Sequence, residues 1–232
     1  MNRNEPEAEP RVVSNRKPSI TLSARLRFYG PWVSNKARRL ANLSVSPFVT
    51  LLVRTHKQRW RKVARNPEPI WDERNRLIAN FIPEGSSVLD IGCGAQSLRR
   101  HLKADCKYQP CDLIRSTPDV IVCDFNAGVL PAVSAAYDVV VCSGVFEYIR
   151  DPKRFLESVA TYGRVVLISY HPLFRGQWKW QRLASNWVNH FAEEQLVKLF
   201  ADVGLQSEIL HGSGMSERIY RLRRPNVRSF HS

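Results

Sequence analysis

Ser87-Val88-Leu89-Asp90-Ile91-Gly92-Cys93-Gly94-Ala95-Gln96-Ser97-Leu98 decides how the rest of this 232-residue chain is read. An apolar run broken once by an acid leads into a glycine-rich turn, and the pattern from Leu98 to Lys103 reads as a helix. Gly92 and Gly94 carry no Cβ, so the backbone can bend sharply there and a ligand can lie against it. The following helix start offers unpaired N–H groups to an anionic part of that ligand. Asp112, eighteen residues past Gly94, closes the next strand-like run and is placed to accept hydrogen bonds from ribose hydroxyls. Asp124 follows the apolar run Val120–Cys123, and Phe125 beside it is a candidate to lie on an adenine face. Three acids at the ends of successive strands point to a nucleotide crevice. For Asp124, a plain Asp-Phe-Asn-Ala-Gly turn is the competing reading.

Outward from this motif the pattern alternates. Strand-like runs lie at Ser87–Ile91, Val120–Cys123, Asp138–Cys142 and Arg164–Tyr170, with a weaker one at Lys107–Cys111. Helical patterns cover Trp71–Ile82, Pro152–Thr161 and Ala192–Val203. Ser207–His211 and Arg218–Leu222 read as two last strands joined by Gly212-Ser213-Gly214. The expected fold is α/β: a Rossmann-like, doubly wound, mostly parallel sheet with an antiparallel final strand, plus a basic N-terminal extension. We divide the chain into a disordered tail at 1–20, a basic amphipathic extension at 21–66, the main domain at 67–215, and a last strand with a basic tail at 216–232.

Composition narrows the class. At 44% hydrophobic and 24% charged the chain has material for a sizeable core. No stretch approaches the roughly 18 apolar residues of a membrane span. Glu5, Glu7 and Glu9 near the start speak against a secretory or transit signal. Cys93, Cys106, Cys111, Cys123 and Cys142 form no CxxC pair, and we read them as small buried hydrophobes in a reducing cytosol rather than as a metal site. The net charge of +14 divides into +12 over residues 1–66, −2 over 67–215 and +4 over 216–232, so a near-neutral body lies between basic ends. The basic stretch 21–66 mixes Arg and Lys with Phe28, Trp32, Phe48 and Trp60. It suits RNA, an anionic membrane surface at the inner face of the membrane, or a helical cover over the crevice, and its apolar content favours the last two.

Residues 70 to about 211 resemble the class I S-adenosylmethionine-dependent methyltransferases, in particular the type 11 group. The resemblance is carried by Val88-Leu89-Asp90-Ile91-Gly92-Cys93-Gly94, by Asp112, by Tyr137-Asp138-Val139-Val140-Val141-Cys142-Ser143-Gly144-Val145-Phe146-Glu147-Tyr148-Ile149, by Gly163–Ser169, and by Asn189-His190-Phe191-Ala192-Glu193-Glu194-Gln195-Leu196. It implies S-adenosylmethionine as cofactor, with Asp90, Gly92, Gly94, Gln96, Asp112, Asp124, Phe125 and Ser143 as the residues that hold it. The chain departs from the family at Gln96, where a third glycine is usual, and at Tyr148, where the family commonly has His. Gln96 would crowd the methionine end of the cofactor or hydrogen-bond to it.

Methyl transfer by this resemblance is a direct displacement, aided by a positioned base when the acceptor is a hydroxyl or an amine. His171 and His190 are the candidate bases, each with a capping or surface role as the alternative, and Tyr148 and Tyr170 are candidate orienting groups. Glu147 would contact the substrate or serve as a helix-start acid. Trp178, Trp180 and Trp187, with Arg175 and Lys179, would form a positively charged aromatic wall over the acceptor, or else pack on the sheet. The leading expectation is a cytoplasmic methyltransferase acting on a small molecule or a lipid-linked or glycan precursor. An RNA methyltransferase, a cofactor-binding but inactive protein, and a nicotinamide dehydrogenase suggested by Gly92-x-Gly94-x-x-Ser97 are the alternatives.

Overall fold

The computed structural model describes residues 47–53, 55, 57, 60–61, 69–133, 135–214 and 217–225. The tail at 1–20 and most of the basic stretch at 21–66 lie outside the described residues, and so does the end of the chain beyond 225.

Seven strands form one sheet: β1 (Ser87–Ile91), β2 (Lys107–Asp112), β3 (Ile121–Val122), β4 (Tyr137–Cys142), β5 (Gly163–Tyr170), β6 (Gln206–His211) and β7 (Arg218–Arg223). Their order is β3-β2-β1-β4-β5-β7-β6. All neighbouring pairs from β3 to β5 are parallel, whereas β7 runs antiparallel to both β5 and β6. The last strand therefore inserts between two others. Among the described residues, no helix is long and apolar enough to cross a membrane.

Alternation along the strands sends successive side chains to opposite faces. Leu89 and Val140 pack on one side with Phe155 and Leu156 of α2 (Pro152–Val159) and with Leu196 and Phe200 of α4 (Glu193–Asp202). Val88, Val139 and Val141 pack on the other with Ile78 and Ala79 of α1 (Pro69–Ala79). Helix α2 starts where Asp151 accepts from the Arg154 N–H and Pro152 opens the first turn. A shorter helix, α3 (Lys179–Ala184), lies between β5 and α4, where sequence patterning gave no helix.

One element differs in kind from its expectation. Ser97–His101 is a five-residue 3-10 turn and not an α-helix. Gln96 enters it in the left-handed region at φ 56°, and the chain is extended again by Leu102. Such a short turn has no stack of aligned N–H groups, so the anion-binding helix start expected there is missing. Cys93, Cys111, Cys123 and Cys142 are buried and Cys106 is half-buried, all as free thiols.

Candidate active site

The parallel strands end at a cleft of about 360 Å³, a size common for small-molecule sites. Its floor is the turn after β1. Gly92 has φ +76°, and a Cβ there would come within 2.2 Å of Val145 Cγ2. Gly94 has φ +51°, and a Cβ there would meet nothing within 4 Å. The first glycine is thus demanded by packing, and the second leaves the floor of the cleft bare.

Asp112, the last residue of β2, grips that turn. Its Oδ2 accepts from the Gly94 N–H at 2.8 Å and its Oδ1 from the Ile114 N–H at 3.0 Å. Each oxygen keeps a lone pair for a ligand hydroxyl. Burial raises its pKa, opposed by these N–H groups. Asp124 also lines the cleft, and it caps the short turn Phe125–Ala127 by accepting from the Ala127 N–H. Thr55 donates to Asp124 Oδ1 at 3.2 Å, so a residue of the N-terminal extension reaches the cleft. Phe125 lines the cleft and rests edge-on against Phe155.

Ser143 follows β4 and lines the cleft, donating to Asn75 Oδ1 while accepting from Arg74 Nε at 2.8 Å. Arg74 in turn donates to Glu217 Oε1 at 3.0 Å. Glu147 is 2% exposed; its Oε1 accepts from the His171 N–H at 3.0 Å, and its Oε2 has no hydrogen-bond partner among the described residues. Burial, and then the Glu217 charge, push its pKa up to about 7. His171 Nδ1 lies 3.8 Å from Glu217 Oε1, and burial lowers the imidazole pKa. Tyr148 accepts from Trp187 Nε1 at 3.3 Å, and the Trp60 ring meets it edge-on at 4.7 Å.

The structure moves four expected site features away from the cleft. Asp90 lies beneath the floor and not on it, accepting from the Tyr108 hydroxyl at 2.6 Å. Burial raises its pKa to about 7. Gln96 is turned outward: the left-handed backbone directs its amide to donate to Thr117 Oγ1 at 2.6 Å. His190 faces α3, where Nδ1 accepts from Arg182 Nε at 3.3 Å, and burial followed by the Arg182 charge lowers its pKa to about 4. Only Trp187 of the three expected wall tryptophans borders the cleft; Trp178 is 72% exposed and Trp180 packs on Phe48. The place expected for an aromatic wall holds instead a buried guanidinium, Arg182, which stacks on Trp187 and donates to the His171 and Pro172 carbonyls.

Sequence reasoning missed Arg74, Asn75, Glu217 and Thr55. Arg74 and Asn75 sit on a helix read only for its apolar face. Glu217 precedes the last strand, and no spacing links it to Glu147. Trp60 stands in sequence only as one aromatic of a basic stretch, with nothing there to place it against Tyr148.

A methyltransferase-domain family model matches residues 56–208 of the chain, about two thirds of its length. The chain belongs to that family. No curated protein matches it in sequence. Its fold is shared with CalO1, a methyltransferase of calicheamicin biosynthesis solved with S-adenosylhomocysteine bound, at 16% identity and a TM-score of 0.53 over 67% of this chain and 54% of that one. It is shared with the Burkholderia thailandensis 1,6-didemethyltoxoflavin-N1-methyltransferase at 14% identity and a TM-score of 0.51, over 72% and 86%. The mitomycin 7-O-methyltransferase MmcR aligns at 16% identity and a TM-score of 0.52, over 87% and 71%. The methyltransferase chain described here spans about half the length of CalO1.

Proposed function

We propose that this class I methyltransferase binds S-adenosylmethionine in the cleft after β1, β2 and β4 and methylates a small-molecule acceptor. The observation that carries the cofactor assignment is the Gly94–Asp112 pair: a bare turn beside a carboxylate whose two oxygens are oriented by backbone N–H groups. The residues fit the cofactor. Asp112 would take the ribose hydroxyls, Asp124 and Phe125 the adenine, and Ser143 with the Gly92–Gly94 turn the methionine end. When bound, the cofactor supplies an electrophilic methyl group on a cationic sulfur, which suits an acid-lined cleft.

The protein's own part is placement and exclusion of water. Trp60, Tyr148 and Trp187 close one side, and Asn126 Nδ2 ties the Tyr148 carbonyl to the turn that carries Phe125. Glu147, His171 and Glu217 are titratable groups beside the acceptor space. Among the described residues, Asp112, Asp124, Glu147 and Glu217 line the cleft against Arg74 as its one guanidinium. Such a balance repels phosphate and supports a small molecule over RNA. With Gln96 turned outward, the feature that favoured a cofactor-binding but inactive protein loses its basis.

Incubation with methyl-labelled S-adenosylmethionine and fractionated cell extract tests the assignment. Label is expected in the small-molecule fraction. Label confined to RNA would overturn the acceptor class.

A further inference from the structure

Glu147, His171 and Glu217 come from three separate segments: the turn after β4, the end of β5 and the approach to β7. A ligating atom of each lies within 4.8 Å of the others. Glu147 Oε2 is buried with no hydrogen-bond partner among the described residues, an expensive condition unless a ligand meets it. Arg74 already pairs with Glu217, so a cation docked against Glu147 Oε2 would hold that carboxyl ionised and supply the one positive charge it lacks. A monovalent cation would neutralise it, whereas a divalent metal would leave excess positive charge next to the guanidinium. The same space is bordered by Trp60, Tyr148 and Trp187, whose rings suit the carbon body of an organic cation.

We propose that the methyl acceptor is a cationic amine, docked with its ammonium group between Glu147 and Glu217 and methylated on that nitrogen. This rests on the methyltransferase reading and adds the acceptor's chemistry to it. The docked ammonium gives one proton to Glu147 Oε2, which frees the nitrogen lone pair. Transfer then forms an N–C bond and breaks the S–C bond, whose electron pair stays on sulfur. The product leaves as a methylated ammonium ion, and the proton on Glu147 passes to solvent. Glu217 holds the ammonium and is itself fixed by Arg74.

Two isosteric compounds test this on the full chain saturated with S-adenosylhomocysteine: 2-phenylethylamine and 2-phenylethanol, with binding read by calorimetry. The amine is expected to bind at least tenfold tighter than the alcohol. Glu147→Gln and Glu217→Gln should each remove most of that preference and leave S-adenosylhomocysteine affinity within about twofold, which also shows that the variants fold. Equal binding of the two compounds, binding of neither, or a preference kept in both variants would overturn the proposal. So would Mg2+ titrating the same residues while the amine is ignored. If S-adenosylhomocysteine itself does not bind, the methyltransferase reading fails first and the amine assignment falls with it.

Discussion

Gly92 and Gly94 stand two residues apart in one turn, yet replacing them tests different things. Gly92→Ala would drive a methyl group into Val145 at a backbone angle that side chains disfavour. The expected cost is about 2–3 kcal/mol of unfolding free energy, read from urea denaturation. Gly94→Ala meets empty space, so its stability should fall by only ~1 kcal/mol while cofactor affinity drops at least tenfold. Equal effects of both on stability, with affinity unchanged, would remove Gly94 from the binding surface. Both glycines were legible in the sequence because a turn without side chains has few other uses there. Gln96 was legible as an anomaly but not in its direction. Nothing in the order of residues announces that φ 56° would swing its amide toward Thr117.

At the scale of elements, the strands were legible because β-branched runs between turn signals have few alternatives. The boundaries of β1, β4 and β5 lie within one residue of the sequence reading. The segment from His171 to His190 was not legible. Its tryptophans suggested a wall, whereas its organiser is Arg182, 1% exposed and donating to Tyr170, His171 and Pro172. A buried arginine that serves neutral carbonyls leaves no charge pattern to read. Arg182→Ala would leave those carbonyls unmet and should cost about 3 kcal/mol. Arg182→Lys should rescue little, since one ammonium cannot span the same acceptors. Because Arg182 holds the His171 carbonyl, both variants should also lose acceptor binding before they lose the fold. Denaturation midpoints near wild type for both would show that the segment is held by other contacts.

For the molecule as a whole, buried carboxylates set the response to pH. Asp90, 2% exposed, has its pKa raised to about 7 from an ordinary value near 3.9. Between those values the folded state binds a proton that the unfolded state has lost. Its contribution to stability is therefore fullest below pH ~4 and disappears as pH rises through about 7, by an amount on the order of a few kcal/mol. Glu147 acts in the same direction. Asp90→Asn should flatten the stability profile between about pH 4 and 7, as read from thermal midpoints; an unchanged slope would show that Asp90 does not carry it. The convergence of Arg74, Glu147, His171 and Glu217 is likewise a property of the whole sheet. It depends on β7 entering beside β5, which no local pattern encodes.

The direct test of the central claim is a calorimetric titration of the chain and its Asp112→Ala variant with S-adenosylhomocysteine. One site per chain is expected in the wild type, and at least tenfold weaker binding in the variant with its fold intact. No binding by the wild type, or equal affinity in both proteins, would contradict that claim.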